Sequence, residues 1–280
     1  MEGRNNSRCA AVVALLVSSS LVTHHSSLSW AAHPFLTDDT GTQGAGNWQL
    51  ELQAQRNRHD YTADAGAGPV RQERRQTLFT PVLTYGLLDD LDVALGLNYL
   101  RHRAVENGAV TDEASGVSDS SLELKWRFYE KDDFSLALKP GVSLPTGDES
   151  RGLGTGRASW SVGLIATHEA GPWTFLGNVA YARLRFKLPQ DEAGAREDLW
   201  RVSGGATYSL DERVKLAGEL GARTNEARDD PFQPGRHGQF AMLGAIYSPT
   251  KKIDFDIGLR KGLNRAETDT VLLAGATFRW

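Results

Sequence analysis

The sequence has little cysteine and few long apolar runs. Cys9 is the only cysteine among 280 residues. It lies in the segment interpreted below as a signal peptide, so the mature chain is expected to have neither a disulfide nor a cysteine-based metal site. A polytopic helical membrane protein needs several runs of about 20 apolar residues. The overall composition, with 40% hydrophobic residues and negative mean hydropathy, excludes that class.

The sequence also lacks an excess of positive charge. It contains 31 Lys and Arg against 35 Asp and Glu, a net charge of −4. Residues 1–31 hold two of these bases and one acid, so the chain without them has a charge of about −5. A basic patch or stripe is the usual electrostatic mark of a nucleic-acid-binding protein. No nucleic-acid partner is therefore predicted.

The N-terminal residues have the three parts of a secretory signal. Arg4 and Arg8 precede an apolar, serine-interrupted stretch, and Ser29-Trp30-Ala31 fits a small-x-small cleavage site. A single membrane anchor is the alternative, but the serines dilute the apolar stretch. We predict a signal peptide at residues 1–31, an N-terminal periplasmic leader or plug segment at 32–46, and an outer-membrane β-barrel at 47–280.

After the leader, apolar and polar residues alternate with a period of two through about twelve segments, which is typical of strands with two unlike faces. In the first, Trp48, Leu50 and Leu52 alternate with glutamine and glutamate. The segment around Phe240 to Tyr247 is apolar on both faces, so its phase is ambiguous. No segment has a sustained helical period.

The connections between these segments alternate between short and long. The short ones are at residues 87–90, 130–133, 169–172, 210–212 and 249–252. The mostly long ones are at 57–76, 104–118, 146–158, 183–198, 223–238 and 264–269. Short periplasmic turns and longer extracellular loops alternate in this way in outer-membrane barrels. The predicted fold class is all-β: a transmembrane antiparallel up-and-down β-barrel of about 12 strands.

The alternative fold is a soluble β-sandwich, which has the same period of two. Aromatic residues near the segment ends favour the barrel, because they resemble the girdles at the two membrane interfaces. These aromatics are Trp48, Tyr85, Tyr99, Trp126, Trp160, Trp173, Trp200, Tyr208 and Trp280.

If the apolar face contacts lipid, the other face lines a lumen. Leu136, Leu164, Leu216 and Ile257 are predicted to face lipid. The charged residues predicted to line the lumen are Glu51, Glu123, Lys125, Arg127, Lys139, Arg201, Lys215, Glu219, Asp254, Asp256, Arg260 and Arg279. Two interpretations stay open: the charges neutralise one another in a nearly closed interior, or they line a narrow path for small solutes.

Several segments resemble a known bacterial family. They are Ala32–Gln43 before Trp48-Gln49-Leu50-Glu51, the turn Tyr85–Asp92, and Leu144–Asp148 followed by Gly152–Gly156. The resemblance is to outer-membrane proteins named for a meta-pathway of phenol degradation and often labelled transporters. It implies a barrel in the cell outer membrane that passes small solutes, aromatic or hydrophobic compounds among them, by passive diffusion.

Both ends of the mature chain have predicted roles. The leader is either a flexible tail or a plug, in which Asp38 and Asp39 pair with lumen charges. The ending Thr277-Phe278-Arg279-Trp280 resembles an insertion signal, with Phe278 and Trp280 as its aromatic residues. The predicted partners are outer-membrane lipid and lipopolysaccharide, the barrel-insertion machinery and a small-molecule solute.

An enzymatic function is not predicted. Hydrolysis by a nucleophile requires a serine with a histidine and an orienting group, and no Gly-x-Ser-x-Gly motif accompanies any histidine. No cofactor or metal site is predicted either. A closed structural or adhesive barrel is the alternative to a channel, since its long loops carry many charges; a barrel hydrolase is the weaker alternative.

Overall fold

The computed structural model describes residues 34–64, 68–228 and 230–280, and the predicted signal peptide lies outside them. The strands are β1 (Trp48–Asp64), β2 (Pro69–Leu88), β3 (Leu91–Gly96), β4 (Tyr99–Glu106), β5 (Ala109–Val117), β6 (Ser120–Lys131), β7 (Phe134–Leu144), β8 (Ser159–Ala170), β9 (Trp173–Arg183), β10 (Asp198–Ser209), β11 (Val214–Thr224), β12 (His237–Thr250), β13 (Ile253–Gly262) and β14 (Thr270–Arg279). A 3₁₀ turn (Glu149–Arg151) and a short helix α1 (Pro189–Gly194) lie in connections. None of the described helices is both long and apolar enough to span a membrane.

The strands form one closed antiparallel sheet. β3 and β4 both pair with β2 and are two halves of one wall strand, as are β5 and β6. The fourteen strands therefore make twelve strands of barrel wall, which confirms the predicted fold class. β14 pairs with β1 from Gln49↔Arg279 to Arg58↔Thr270 and closes the ring. Closure leaves no free edge along the described strands that form the ring, as a sheet in lipid requires. β5, nearer the long-loop end, pairs with β4 alone.

The interruption between β3 and β4 has a local cause. Pro81 stands opposite the break and has no N–H to donate to the ladder. Its carbonyl still accepts from Leu97 N at 3.0 Å. The side chain of Asn98 bridges the gap, accepting from Thr80 Oγ1 at 2.7 Å and donating to the Asp119 carbonyl at 2.6 Å. The neighbouring strands therefore stay connected although the ladder is broken.

Two connections predicted as loops are largely strand. β1 and β2 continue as paired strands to Asp64 and from Pro69, within the range 57–76. Within the range 104–118, β4 and β5 form a hairpin whose turn contains Asn107 and Gly108, both with positive φ. Both ranges are rich in charged residues, which is why loops were predicted there. In the structure they pair between neighbouring strands, as Arg101 does with Glu113 at 3.0 Å, and the ladder continues beyond the apolar belt.

The two faces of the sheet differ as the period of two predicts. Leu164 and Ile257 on the outside are 46% and 66% exposed, whereas Lys139 and Arg260 on the inside are buried. The ambiguous segment in β12 turns Phe240 and Met242 inward and leaves Leu243 on the outer face, 74% exposed. Outer aromatics pair near both ends of the wall. Trp173 and Tyr208 lie 4.7 Å apart at the short-turn end, and Tyr181 and Trp200 lie 4.9 Å apart at the long-loop end.

The aromatic residues at the two ends of the wall place Leu220 halfway between those ends, on the outer face. Trp200 and Tyr208 mark the two ends of β10, and Gly204, midway between them, stands opposite Leu220. We expect Leu220→Arg to lower the free energy of unfolding by about 2–4 kcal/mol, since an arginine at the bilayer midplane costs that much. Leu216→Arg on the same face should cost about 0–1 kcal/mol, because Leu216 stands opposite Tyr208 near the interface.

Equilibrium unfolding of both variants in lipid vesicles measures this difference. Lys215→Ala, on the inner face beside Leu216, serves as the control and should change stability little. Equal costs for the two arginine variants would contradict the proposed orientation of β11 in the bilayer.

Candidate functional site

The interior of the barrel contains the segment that precedes β1. Residues Pro34–Gln43, here called the inserted segment, form no strand and run from the short-turn end into the lumen. Near that end, Gln43 N donates to both carboxylate oxygens of Asp92 at 3.1 Å. Farther in, Thr40 N donates to Thr167 Oγ1 at 3.0 Å. The inserted segment is thus held by side chains of the wall.

Asp38 is the charged anchor of the inserted segment. It is 3% exposed, and its carboxylate lies 2.7 Å from Lys139 Nζ and 3.5 Å from Lys125 Nζ. Lys139 also pairs with Glu123 at 3.1 Å. Burial by itself raises the pKa of Asp38, but the charges of Lys125 and Lys139 outweigh it and hold that pKa below its ordinary value. Asp38 therefore keeps its charge, and these contacts, until the pH falls through the lowered pKa.

Glu219 holds the next part of the inserted segment. Its carboxylate accepts from Thr37 N at 2.7 Å and Thr37 Oγ1 at 2.5 Å. Leu36 N donates to the same carboxylate at 3.0 Å. One wall carboxylate thus satisfies two backbone donors and a hydroxyl in the middle of the lumen. Such charge-assisted hydrogen bonds are stronger than neutral ones.

The innermost residues of the inserted segment pack against apolar side chains and glycines. Phe35 belongs to a buried apolar cluster whose other members are Leu176, Ala217, Met242, Val271 and Leu273. A Cβ at Gly205 would lie only 2.9 Å from the Phe35 ring. A Cβ at Gly258 would lie 2.9 Å from Pro34, and one at Gly244 would lie 2.7 Å from it. Because glycine has no side chain, these three inner positions leave the space that Pro34 and Phe35 occupy.

A cavity of about 770 Å³ lies between the inserted segment and the short-turn end of the barrel. Nine of the residues predicted to line the lumen lie along it: Glu51, Glu123, Lys125, Arg127, Lys139, Lys215, Asp254, Asp256 and Arg279. Asp38 and Asp39 lie along it as well. Both signs of charge are present in its wall. The structure thus brings most of the sequence-predicted set together around one space.

The other three predicted lumen residues, Arg201, Glu219 and Arg260, do not line that cavity. Arg201 and Arg260 lie toward the long-loop end, on the far side of the inserted segment. There Glu267 accepts from Arg223 Nε at 2.8 Å and from Arg223 Nη2 at 2.5 Å. The inserted segment therefore separates two charged regions of the lumen.

Sequence reasoning missed several interior residues. Arg223 and Glu267 were included in predicted loops, although both lie in the interior with a relative side-chain exposure of 23% and 1%. Phe35 was missed because it precedes the first strand, and Met242 because its segment is apolar on both faces and its phase was ambiguous. Continuing the period of two along β14 would have identified Val271 and Leu273, which alternate with the outward Leu272.

The first and last strands meet at the closing seam of the barrel. Trp48 N donates to the Trp280 carbonyl at 3.0 Å, and Trp280 N donates to the Trp48 carbonyl at 3.1 Å. The side chain of Trp280 is exposed on the outside, and Phe278 stands opposite Leu50. Their role in insertion stays a prediction.

Solved outer-membrane barrels have similar structures. An outer membrane channel from Pseudomonas putida F1 superposes with a TM-score of 0.63 at 18% identity, over 86% of this chain and 98% of that one. The transport unit of the autotransporter AIDA-I from Escherichia coli gives 0.52 at 8% identity, over 99% of both chains. A mutant of the monoaromatic hydrocarbon channel TodX gives 0.51 at 11% identity, over 86% of this chain and 92% of that one. At these identities the likeness shows the fold.

Sequence comparison identifies the family. No curated protein is a significant match to the chain. One family profile matches residues 37–280, which include part of the inserted segment and the whole barrel, and its description is "Putative MetA-pathway of phenol degradation". The match confirms the resemblance seen in the sequence segments. The chain belongs to this family.

Proposed function

We propose that this protein is an outer-membrane channel through which small solutes diffuse passively, aromatic or hydrophobic compounds among them, with the inserted segment as its plug. The observation that carries the proposal is that Pro34–Gln43 crosses the lumen without joining the sheet. Wall side chains hold it, as Asp92, Lys139 and Glu219 do. Removal of such a segment leaves every strand pairing of the wall in place.

The cavity under the plug supports a path for solutes. Its volume of about 770 Å³ is in the range of small-molecule pockets. Acidic and basic residues both line it, ten to six when Asp38 and Asp39 are included, so the wall is polar and carries an excess of negative charge. Twelve strands lie between the eight that fill with side chains and the sixteen that enclose an aqueous channel. A segment folded into a lumen of this width fills most of its cross-section.

The relatives support the same reading. Two of the similar structures are described as an outer membrane channel and a monoaromatic hydrocarbon channel. The exposed apolar belt and its aromatic levels suit contact with outer-membrane lipid and, at the long-loop end, lipopolysaccharide. Phe278 and Trp280, at the closing seam, are the residues that the barrel-insertion machinery would recognise.

The location has a direct test. We expect the mature protein to fractionate with the outer membrane and to migrate faster in unboiled than in boiled gel samples, because a closed hydrogen-bonded ladder resists detergent. Membrane fractionation followed by electrophoresis measures both properties. Recovery of the chain in the soluble periplasm would refute the location.

Plugging has a test in planar bilayers. Deletion of Ala32–Asp39 should raise the single-channel conductance and still allow folding, because no strand is lost. Heat-modifiable migration of the deleted form is the folding control. If the deletion leaves conductance and solute uptake unchanged, the segment is no plug. If both forms are impermeable to every solute, a closed structural or adhesive barrel replaces the channel.

A matched pair of substitutions tests the anchor. Asp38→Asn removes the charge that pairs with Lys139, and a hydrogen bond to a charged group contributes about 1.5–3 kcal/mol. We expect the plugged state to lose at least about tenfold in population, seen as more frequent openings in single-channel recordings. Asp39→Asn is the control, because the Asp39 carboxylate has a weaker link to the wall. It accepts from Gly41 N within the inserted segment and lies 3.8 Å from Lys125 Nζ. An equal effect of both substitutions would argue against Asp38 as the anchor.

A further inference from the structure

Arg260 is a buried cation whose hydrogen-bonding capacity the described structure does not use fully. Its side chain projects inward from β13 and is 2% exposed. Nε and Nη1 are buried and have no hydrogen-bond partner among the described residues. The guanidinium lies over the Phe240 ring, 5.6 Å from its centroid. A buried, unsatisfied guanidinium is costly in folded proteins and calls for an explanation, such as an anion that completes the site.

Arg260 lies among charged side chains of both signs. Arg201, Arg223, Glu219 and Glu267 act on it, and Glu226 acts on Arg223 in turn. Guanidinium groups and carboxylates balance in this group, so the case for an anion depends on the donors that Arg260 leaves unused.

Both carboxylates that act on Arg260 have other donors. Glu219 accepts from Leu36 N and from Thr37 N of the inserted segment. Glu267 accepts from Arg223 and from Thr268 N at 3.0 Å. Neither forms a hydrogen bond with Arg260 among the described residues, so Nε and Nη1 remain unsatisfied.

The position of Arg260 relates it to the solute path. On β13, Gly258 precedes it by two residues on the same inner face and contacts Pro34 of the inserted segment. Met242 and Val271, which belong to the apolar cluster around Phe35, stand opposite Arg260 on the two neighbouring strands. Arg260 therefore borders the plug on its long-loop side, and displacement of Pro34 and Phe35 uncovers it.

We propose that Arg260 is a binding site for the carboxylate of a small aromatic acid passing through the lumen. A guanidinium presents donors in a fork that matches a carboxylate. Met242 and Val271, opposite Arg260, belong to the apolar cluster that holds the Phe35 ring, and the aromatic ring of a solute takes the place of that ring once the plug is displaced. This inference deepens the proposed function, on which it rests, by naming a class of solute: a planar aromatic ring bearing one carboxylate.

The test is binding of 4-fluorobenzoate to the detergent-solubilised barrel, followed by ¹⁹F NMR line broadening and shift. The neutral 4-fluorobenzamide has nearly the same shape and measures recognition of the ring alone, and empty micelles correct for partition into detergent. Wild type should bind 4-fluorobenzoate at least tenfold more tightly than the amide. Equal binding of the two compounds would overturn the proposal.

Two substitutions on β13 locate the site. Arg260→Met keeps an unbranched side chain among Met242 and Val271 and should weaken 4-fluorobenzoate binding at least tenfold. Lys261→Met removes a positive charge from the next residue, which is exposed and donates to Thr270 Oγ1, and should retain wild-type binding. Heat-modifiable migration verifies that both variants fold. Wild-type binding by Arg260→Met would overturn the assignment.

Deletion of Ala32–Asp39 tests access to the site. It should tighten 4-fluorobenzoate binding, because no plug has to be displaced before the carboxylate reaches Arg260. Weaker binding would contradict the proposed position of the site behind the plug.

The binding experiment requires no flux, so its outcome separates the two proposals. Binding without conductance would retain the Arg260 site and reject the channel. Conductance without binding would retain the channel and reject the site.

Discussion

The pairing of the last strand with the first is the constraint on which the rest of this structure depends. Unpaired backbone N–H and carbonyl groups cannot be tolerated at a sheet edge in lipid, so the wall must close. β14 meets β1 over ten residue pairs, and backbone hydrogen bonds between Trp48 and Trp280 complete the seam. Closure creates an outside, where Leu164 and Ile257 suit hydrocarbon, and an inside that must accommodate the polar half of every strand. The ion pairs and the inserted segment are consequences of that enclosed polar face.

The wall was predictable because its signal is local. Lipid and lumen impose opposite demands on alternate residues, so the period of two reveals each strand by itself. The prediction was wrong at the ends of β1, β2, β4 and β5, where charged residues continue the ladder instead of forming loops. There the apolar belt has ended, and ion pairs such as Arg101 with Glu113 stabilise strands that no longer alternate clearly in polarity.

The interior was predictable only in part. Alternation identified Lys139 and Glu219 as inward-facing, and the resemblance drew attention to the segment that includes Asp38. No local pattern shows that Lys139 binds a carboxylate 101 residues away or that Glu219 accepts from a backbone 182 residues away. The apolar contacts of Phe35 were hidden for a related reason. Met242 and Val271 face the lumen but pack in the apolar cluster around Phe35 of the inserted segment instead of facing water. They are therefore apolar although the inner face is mostly polar.

The separation along the chain between the inserted segment and its contacts has a consequence for biogenesis. Pro34–Gln43 leaves the ribosome before every strand that holds it, and its contacts extend from Asp92 in β3 to Gly258 in β13. The docking site for Pro34 is complete only after most of the wall has formed. Until then Phe35 and Asp38 lack the contacts that they have in the folded barrel. Occupancy of the lumen is thus a late event in assembly, and it requires the N-terminal end to stay free while the ring closes around it.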